Sequence, residues 1–488
     1  MNKQDKYLID IQKNWDTKVR SNLPSIDWLG EEITKAEINY KINAMQDLIN
    51  KLFSLKRCKS DEIFGVAIKD SFDNLALGIA LILEGVTQAI IPLDATKTQI
   101  EDLCERYEVT ILATSESISH SGQWELTEIQ TNDIYFYRES YHKVSIIKET
   151  NRDNLTEEFH SIRLLLGTTS GTTSHRSDII SLNSKDILRR VSESVWSPYN
   201  LVKRPLVGPS MQNWSARLQK LLLILRGKSF VVRNSLQPFR DQPIIQNCDG
   251  SLIAPNGLRR WMALENMQYL GENFLLISGS DQVPMKLRET LSQMENINLG
   301  ITYATSQTGP LTWLPPNALL DEQDSVGWPL EEVSIQPIET QNSLYKNGKK
   351  FQEAIISTPR TTFNPGDLLH VSKTGQIIFG GRSNDTFLYN SIIISPTEIE
   401  DVVYRYTGVK ECVAFGATSN RFGAVAMVGI LLNKGFNNGQ AIHEVDLLCR
   451  KYLGKKRPQK IIIMNVIPRN QSGKALRRVL SKQYSLQQ

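Results

Sequence analysis

Nine consecutive residues read Leu166-Gly-Thr-Thr-Ser-Gly-Thr-Thr-Ser174, and an apolar run over residues 162–166 leads into them. The apolar run predicts a buried strand, and the small residues after it predict a loop. Such a loop presents backbone N–H groups and hydroxyls without bulky side chains, so it can wrap an anionic phosphate. Runs of Gly, Ser and Thr are also typical of flexible surface loops. Composition alone leaves both interpretations open.

Short apolar runs lie on both sides of this loop. Toward the N-terminus the pattern predicts strands and helices in alternation, over residues 63–68, 75–83, 89–93, 98–107 and 109–113. Toward the C-terminus the alternation returns, over residues 205–208, 216–226, 229–232 and 275–278. Buried strands separated by helices of this length predict a parallel sheet that is covered on both faces. Residues 115–160 are polar and predict no clear element.

The last hundred residues have a different character. Short β-branched runs over residues 392–394, 425–432 and 461–463 predict strands, and helices are predicted between them, over 397–406 and 441–453. This order is typical of a small α+β domain. We place the boundary after Gly380-Gly-Arg382, where a turn-rich point suits a hinge. The predicted domains are therefore residues 1–382 and 383–488.

Composition narrows the class of protein. The chain has 488 residues, of which 40% are hydrophobic and 22% charged, which is typical of a globular protein with more than one domain. The formal charge of +4 gives no reason to expect a nucleic-acid partner. Five scattered cysteines and six isolated histidines predict neither a disulfide framework nor a zinc site, so we expect a reducing, cytoplasmic compartment.

Neither a leader nor a membrane span is expected. The N-terminal twenty residues lack the apolar core of a signal peptide. The most apolar run, over residues 75–83, is nine residues long. A membrane-spanning helix needs about 20 residues.

The loop at 166–174 resembles the phosphate loop of the adenylate-forming (AMP-binding) superfamily, which reads T-S-G-T-T-G-x-P-K-G. That superfamily includes acyl- and aryl-CoA ligases, luciferases and the adenylation domains of peptide synthetases. Other superfamily landmarks follow in order over roughly residues 60 to 480: Ile91-Pro-Leu-Asp94, Ile277-Ser-Gly-Ser280, Tyr303-Ala-Thr-Ser-Gln307, Val326-Gly-Trp-Pro-Leu330, Asn364-Pro-Gly-Asp-Leu368, Gly381-Arg-Ser-Asn-Asp385, Glu398-Ile-Glu400 and Ile467-Pro-Arg-Asn-Gln-Ser-Gly-Lys474. The resemblance implies a large N-terminal α/β region and a small, mobile α+β C-terminal domain.

In this superfamily the reaction joins a carboxylate to the α-phosphate of ATP and expels pyrophosphate, with Mg²⁺ present. Because two anions must meet, charge neutralisation and positioning carry the rate. The resemblance implies that Lys474 is the catalytic residue, a compact charge on a long stem that bridges the carboxylate and the α-phosphate. The alternative is an ordinary surface lysine near the chain end.

The same resemblance assigns the nucleotide-binding positions. Asp367 would accept hydrogen bonds from the ribose hydroxyls, Arg382 would reach the ribose or the phosphates, and Tyr303 would stack on adenine. Their plainer alternatives are a turn aspartate, a solvated arginine and a core aromatic residue. The remaining positions are the phosphate-binding Thr169, Ser170, Gly171, Thr172 and Thr173, the adenine-lining Ser278, Gly279 and Ser280, and also Ser306.

The acid pocket is expected to include Met211 and Trp214. In this interpretation the segments 205–215 and 276–308 supply the pocket. They carry no charged side chain positioned to bind the amino group of a substrate. We therefore expect a fatty, aryl or keto acid rather than an amino acid.

Several positions depart from the superfamily pattern. Ser177 stands where the phosphate-loop lysine is expected; the neighbouring His175 and Arg176 are either substitutes for it or plain loop residues. Gln307 replaces the glutamate associated with Mg²⁺, and a neutral amide is a weaker ligand for a hard dication. Ser391 replaces a glycine of the tunnel that admits the pantetheine arm of CoA.

These departures leave three functional interpretations. The first is an ATP-dependent ligase that passes its acyl group to CoA, to the thiol of an acyl or peptidyl carrier protein, or to an amine. The second is a non-catalytic nucleotide- or acyl-binding member, and the third is an enzyme that uses a pre-formed acyl-AMP. Retention of Lys474, Asp367 and Arg382 favours the first.

Overall fold

A computed structural model describes most of the chain: residues 5–54, 62–92, 97–115, 124–130, 134–139, 161–168, 179–192, 197–234, 237–240, 243–339, 343–346, 348–389, 392–419, 423–469 and 475–485. Its contacts divide the chain into two compact units. The first comprises Met1–Thr169, Asp178–Val195 and Lys203–Ser235, and the second comprises Ser170–Ser177, Trp196–Val202 and Leu236–Gln488. The predicted boundary after Arg382 lies inside the second unit, and the division at that point stays a prediction.

The first unit is built from helices and a mixed sheet. Its helices are α1 (Lys6–Asn14), α2 (Lys35–Ser54), α3 (Phe72–Leu83), α4 (Lys97–Tyr107), α5 (Ser184–Val191) and α6 (Trp214–Leu225). Its strands are β1 (Ile26–Trp28), β2 (Glu31–Ile33), β3 (Ile63–Ala67), β4 (Thr87–Ile90), β5 (Val109–Thr114), β6 (Trp124–Gln130), β7 (Tyr135–Glu139), β8 (Arg163–Thr168), β9 (Ile179–Asn183), β10 (Leu206–Val207) and β11 (Val231–Val232). The main sheet has seven strands in the order β6-β7-β5-β3-β4-β8-β9, and a smaller sheet has the order β10-β11-β1-β2.

Alternation along β3 explains why this sheet is buried on both faces. Phe64 and Val66 belong to one hydrophobic cluster, whereas Ile63 and Ala67 belong to another. Successive strand residues point to opposite faces, so a strand without polar positions needs cover on both sides. The predicted strands over 63–68 and 109–113 and the predicted helix over 75–83 are confirmed, and β3, β4, β5 and β8 pair in parallel.

The sheet is nevertheless mixed rather than purely parallel. Strands β7 and β9 are antiparallel to their neighbours, and β6 extends the sheet beyond β7. Strands β6 and β7 lie within residues 115–160, where the sequence predicts no element. Phe136 of β7 is fully buried and lies edge-on to Phe64 of β3, with 6.5 Å between ring centroids. This strand is thus stabilised by pairing and packing against a distant segment, which a local pattern does not contain.

The second unit contains a small parallel sheet, then an antiparallel sheet, and last a mixed sheet. Its helices are α7 (Pro255–Ala263), α8 (Met285–Ser292), α9 (Pro396–Val403), α10 (Asn438–Leu453) and α11 (Arg477–Gln483). Its first strands are β12 (Gly250–Ile253), β13 (Phe274–Ser278), β14 (Ile297–Ile301), β15 (Ala304–Thr305), β16 (Gly309–Pro310), β17 (Thr312–Trp313), β18 (Ser325–Pro329), β19 (Ser334–Pro337) and β20 (Leu344–Lys346). The later strands are β21 (Lys349–Ser357), β22 (Thr362–Phe363), β23 (Asp367–Val371), β24 (Ile377–Arg382), β25 (Phe387–Tyr389), β26 (Ile392–Ile394), β27 (Val409–Ser419), β28 (Gly423–Leu432) and β29 (Lys460–Ile463).

The sheets of this unit follow the chain. Strands β12, β13 and β14 form a parallel sheet, and the hairpin β15–β16 follows it. An eight-stranded antiparallel sheet has the path β17-β18-β24-β23-β21-β19, with β20 and β22 paired to β21. The apolar pattern of the sequence does not separate these strands. The last sheet has the path β26-β25-β28-β27 with β29 beside and parallel to β28, and its strands include the three predicted β-branched runs.

The cysteines of the described residues carry free thiols. Cys104, Cys248, Cys412 and Cys449 are all buried. In addition, no helix within the described ranges combines the length and the hydrophobicity needed to cross a bilayer.

Gly327, in the Val326-Gly-Trp-Pro-Leu330 segment, occupies a position that only glycine fits. Its φ is +86°, and a Cβ atom would lie 1.9 Å from the carbonyl oxygen of Trp313. We expect Gly327→Ala to lower the midpoint of urea unfolding strongly, because the backbone of the neighbouring strand would have to move.

The matched control is Gly348→Ala. Gly348 has a similar φ of +73°, and a Cβ atom there would meet nothing within 4 Å. Gly348→Ala should be destabilised only by the left-handed backbone strain that alanine acquires, about 1–2 kcal/mol. Equal midpoints for the two variants would contradict the steric explanation.

Candidate functional site

The candidate site starts at the carboxyl ends of two parallel strands. Ser278 ends β13 and pairs in register with Ile301, the last residue of β14. The backbone N–H of Thr302 donates to the carbonyl of Ser278 at 2.9 Å. Gly279 follows, and a Cβ atom there would approach the carbonyl oxygen of Thr302 to 2.7 Å. Glycine therefore allows the segments that follow β13 and β14 to run side by side in close contact.

The turn Ser278-Gly279-Ser280 carries two features that are typical of ligand sites. The hydroxyl of Ser278 is buried and has no hydrogen-bond partner among the described residues. An unsatisfied buried polar group costs about 1–3 kcal/mol, which a ligand can recover. Ser280 has a φ of +68°, a conformation that non-glycine residues adopt at an energetic cost. Such strain clusters at functional sites.

Tyr303 joins this turn to a carboxylate. Its hydroxyl donates to Oδ2 of Asp367 at 2.5 Å, and Nε of Arg382 lies 3.2 Å from Oδ1 of the same residue. Asp367 and Arg382 stand opposite each other on the neighbouring strands β23 and β24. Asp367 is 2% exposed, whereas the side chain of Arg382 is 37% exposed. The structure thus brings together three of the predicted nucleotide-binding side chains.

The phenol of Tyr303 acts as a donor in this arrangement. Burial, and then the charge of Asp367 beside it, raise the pKa of Tyr303 well above its usual value. The phenol therefore stays protonated and stabilises the carboxylate by a charge-assisted hydrogen bond. Its ring is largely buried and lies 6.1 Å from the ring of Phe379. Core packing accounts for this ring, and stacking on adenine stays a prediction.

Two threonines that the sequence pattern did not single out hold the backbone of Tyr303. The N–H of Tyr303 donates to Oγ1 of Thr312 at 3.1 Å, and Oγ1 of Thr302 donates to the carbonyl of Thr312 at 2.7 Å. Thr312 in turn donates to the carbonyl of Val326 at 2.5 Å. A threonine gives little sequence signal for such a role, because it is equally typical of any strand.

Ser306 and Gln307 lie in the turn between β15 and β16. Gln307 is exposed, and its backbone carbonyl accepts from the guanidinium of Arg360. Within the described ranges no group of three His, Cys, Asp or Glu side chains is placed to hold a metal ion. The side chain at the predicted metal position is a neutral amide, and a role of Gln307 in holding Mg²⁺ stays a prediction.

Met211 and Trp214 belong to the first unit. Both are buried, and the indole of Trp214 lies so close to Gly167 that a Cβ there would be 2.4 Å from it. Gly167 lies in β8, the strand that leads into the predicted phosphate loop. The N–H of Met211 donates to Oδ1 of Asp70 at 2.6 Å. The segment that carries Met211 and Trp214 is therefore held at the carboxyl edge of the parallel strands, where α/β sheets place their ligands.

A buried lysine supports the same segment. Lys220 of α6 is fully buried and donates to the carbonyls of Ser210 at 2.7 Å and Ala216 at 3.1 Å. Burial lowers its pKa to about 7; Asp70 opposes this shift and Arg217 adds to it. Arg217 is itself buried and donates to Asn74 at 2.6 Å and to Gln88 at 2.6 Å. Neither cation could be identified from the sequence, since both lie in an apparently amphipathic helix.

The other predicted site residues lie outside the described residues. These are Thr169, Ser170, Gly171, Thr172, Thr173 and Lys474, together with the divergent positions Ser177 and Ser391. Their roles stay predictions.

Removal of the phenol tests the Tyr303–Asp367 contact. We expect Tyr303→Phe to lower the free energy of unfolding by about 1–3 kcal/mol, because a buried carboxylate loses a donor. Tyr345, which is 63% exposed, provides the control variant Tyr345→Phe. Urea unfolding at pH 7 measures both, and indistinguishable values would show that the hydrogen bond does not contribute.

The pKa of Lys220 predicts how stability depends on pH. The folded state holds this amine with a pKa of about 7, below the usual value of 10.5. Between these values the unfolded chain binds more protons, so stability rises with pH, by up to about 1.4 kcal/mol per unit. We expect Lys220→Met to remove this rise between pH 7.5 and 9.5 in urea unfolding. Lys51→Met, at an exposed site, should keep it.

Comparison with known proteins relates the chain to one group of enzymes. Residues 398–474 match the family model of the AMP-binding enzyme C-terminal domain. A 2-succinylbenzoate–CoA ligase of Oceanobacillus iheyensis is 24% identical over 239 residues, which cover 45% of this chain and 48% of the relative. A ligase of the same name from Listeria monocytogenes is 29% identical over 198 residues, 39% and 41% of the two chains. Each alignment thus spans less than half of the relative's length.

Solved structures show a likeness over the whole chain. The amide bond synthetase McbA from Marinactinospora thermotolerans has a TM-score of 0.71 at 14% identity, covering 98% of this chain and 100% of that one. The o-succinylbenzoate CoA synthetase MenE from Bacillus subtilis, in complex with its acyl-adenylate intermediate, has a TM-score of 0.72 at 16% identity, covering 98% of both chains. The predicted resemblance to the adenylate-forming superfamily is thereby confirmed for the fold: the chain has the fold of these enzymes, and its residues 398–474 match the AMP-binding enzyme C-terminal domain.

Proposed function

We propose that the chain activates a carboxylic acid with ATP and Mg²⁺ as an acyl-adenylate and then passes the acyl group to a thiol or an amine. The observation that carries this proposal is the constellation of Tyr303, Asp367 and Arg382 beside the turn that ends β13. It joins a buried carboxylate, a partly exposed guanidinium and an unpaired serine hydroxyl, which are the groups that a nucleoside monophosphate needs.

The nucleotide meets complementary groups at this site. Each oxygen of the Asp367 carboxylate has two lone pairs, so its bonds to Tyr303 and Arg382 leave room for the hydroxyls of ribose. Arg382 is the exposed member of the pair and presents further N–H donors to the ribose or the α-phosphate. The free hydroxyl of Ser278, beside the turn at Gly279, suits the polar edge of a purine.

Lys474 and the loop of Thr169 to Thr173 complete the proposed machinery on the strength of their sequence. Lys474 neutralises the carboxylate and the α-phosphate as they approach, and the loop binds the β- and γ-phosphates. The lysine expected at Ser177 is missing, which lowers the positive charge available to those phosphates. Mg²⁺ held by the phosphates would supply the remaining charge.

The class of acid and of acceptor is inferred from the names of similar proteins and from the character of the pocket residues. Relatives of this chain are named as ligases of 2-succinylbenzoate, and a structural neighbour as an amide bond synthetase. The pocket residues Met211 and Trp214 are buried and apolar, which suits an aryl, fatty or keto acid. We propose CoA, a carrier-protein thiol or an amine as the acceptor, since Ser391 leaves the pantetheine tunnel in question.

The test is ATP–pyrophosphate exchange with Mg²⁺ over a panel of aromatic, keto, fatty and amino acids. We expect exchange with one class of acid. Lys474→Ala should lower it by about 10²-fold or more, as loss of a group that stabilises developing charge does. Lys482→Ala removes an exposed lysine of α11 and should match the parent.

Other outcomes select the competing functions. Turnover of a synthetic acyl-AMP without exchange would assign the chain to enzymes that use a pre-formed adenylate. ATP binding by calorimetry without exchange or turnover would make it a nucleotide-binding protein. Exchange that survives in Lys474→Ala at the parent rate would overturn the assignment of the lysine.

A further inference from the structure

A buried ionic cluster lies outside the groups assigned to the reaction. Nζ of Lys346, in β20, is 2.9 Å from Oδ2 of Asp324 and 3.0 Å from Oδ2 of Asp401. The three side chains are between 5% and 10% exposed. Nε2 of Gln282 donates to Oδ1 of Asp324 at 2.6 Å and lies 3.4 Å from a carboxylate oxygen of Asp401. We call these four residues the Lys346 cluster.

The Lys346 cluster joins segments that are distant in the sequence. Gln282 follows the turn Ser278-Gly279-Ser280 by two residues. Asp401 lies in α9, near the start of the family-model match at residues 398–474. One lysine thus holds the first helix of the AMP-binding C-terminal region against the segment that leaves the proposed nucleotide turn.

A second ion pair extends this connection to the end of the chain. Arg477, the first residue of α11, lies 2.8 Å from Oε1 of Glu400, the neighbour of Asp401 in α9. The N–H of Ala414 donates to the same Glu400 oxygen at 2.8 Å. Arg469 and Ala475 form a β-bridge just before α11. Because Arg477 pairs with Glu400, a shift of α9 would also move α11.

The charges show why Lys346 is indispensable to this geometry. Burial raises the pKa of Asp401 to about 7, Lys346 opposes the shift, and Asp324 adds to it. Arg288, also buried, contributes a second cation whose Nε donates to the carbonyl of Val283 at 3.0 Å. Without Lys346, neither of the two buried carboxylates would keep a cation of the described residues in direct contact. Removing one partner of a buried ion pair leaves an uncompensated charge and is strongly destabilising.

We propose that Lys346 is a positioning residue that sets where α9 lies relative to the nucleotide turn. The structural part of this proposal stands by itself, and its kinetic consequence rests on the proposed function. Lys346 is buried and pairs with Asp324 and Asp401, so its effect on the nucleotide turn passes through these carboxylates and Gln282, which donates to Asp324.

The experiment compares Lys346→Met with Lys349→Met. Lys349 lies three residues further along and pairs with Glu322 at a site where its side chain is 29% exposed. Amide hydrogen exchange of the intact chain is the first readout. We expect faster exchange in α9 and over residues 281–283 in Lys346→Met, with other elements unchanged, and parent-like exchange in Lys349→Met.

ATP–pyrophosphate exchange is the second readout. In Lys346→Met we expect kcat to fall by about tenfold or more while KM for ATP stays within about twofold, because misplacement impairs the reaction geometry rather than the nucleotide contacts. A purely structural role would lower the active fraction without local changes in hydrogen exchange. If Lys346→Met does not fold, Asp401→Asn keeps the size of the side chain and should give the same pattern more weakly.

The two readouts separate the two proposals. Lack of exchange activity in the parent would overturn the proposed function and leave the hydrogen-exchange result to decide the role of Lys346. Parent-like hydrogen exchange in α9 and over 281–283 in the Lys346 and Asp401 variants would overturn the positioning role, whatever the activity.

Discussion

Buried carboxylates paired with cations from other segments constrain the second unit. Asp367, Asp324, Asp401 and Glu400 are each placed against a cation that comes from another part of the chain: Arg382, Lys346 or Arg477. A buried charge that loses its partner costs several kcal/mol. These pairs are therefore satisfied only when strands β20, β23 and β24 and helices α9 and α11 take their observed positions. The candidate site and the Lys346 cluster are two consequences of this constraint.

The candidate site combines rigid support with unsatisfied groups. Paired strand ends, a glycine at close approach and a short chain of threonine hydrogen bonds hold the turn and Tyr303. The hydroxyl of Ser278 and the partly exposed guanidinium of Arg382 meanwhile remain able to form hydrogen bonds with a ligand. Such a division is typical of binding sites, since a preorganised scaffold reduces the entropy lost when the ligand binds.

Local patterns predicted some of the elements that are buried on both faces and missed others. The apolar runs at β3 and β5 and the helix α3 were predicted because every residue in them needs cover. Strands β6 and β7 and the antiparallel sheet between residues 312 and 382 were not predicted. In the latter, Leu368 and Leu369 face different hydrophobic clusters, and so do Ile377 and Ile378. Their short runs have no clear period, and pairing with distant strands determines their structure.

The amino-acid sequence alone determined the order of the motifs, the kinship they imply and the identity of Asp367, Arg382 and Tyr303 as candidates, because these depend on residue type and spacing. Only the tertiary structure decided that the Tyr303 phenol pairs with Asp367, that burial depresses the pKa of Lys220, and that one lysine joins Asp324 to Asp401. Hydrogen bonds, desolvation and ion pairing depend on which distant segments meet. The positions of residues in the sequence do not show which distant segments come into contact.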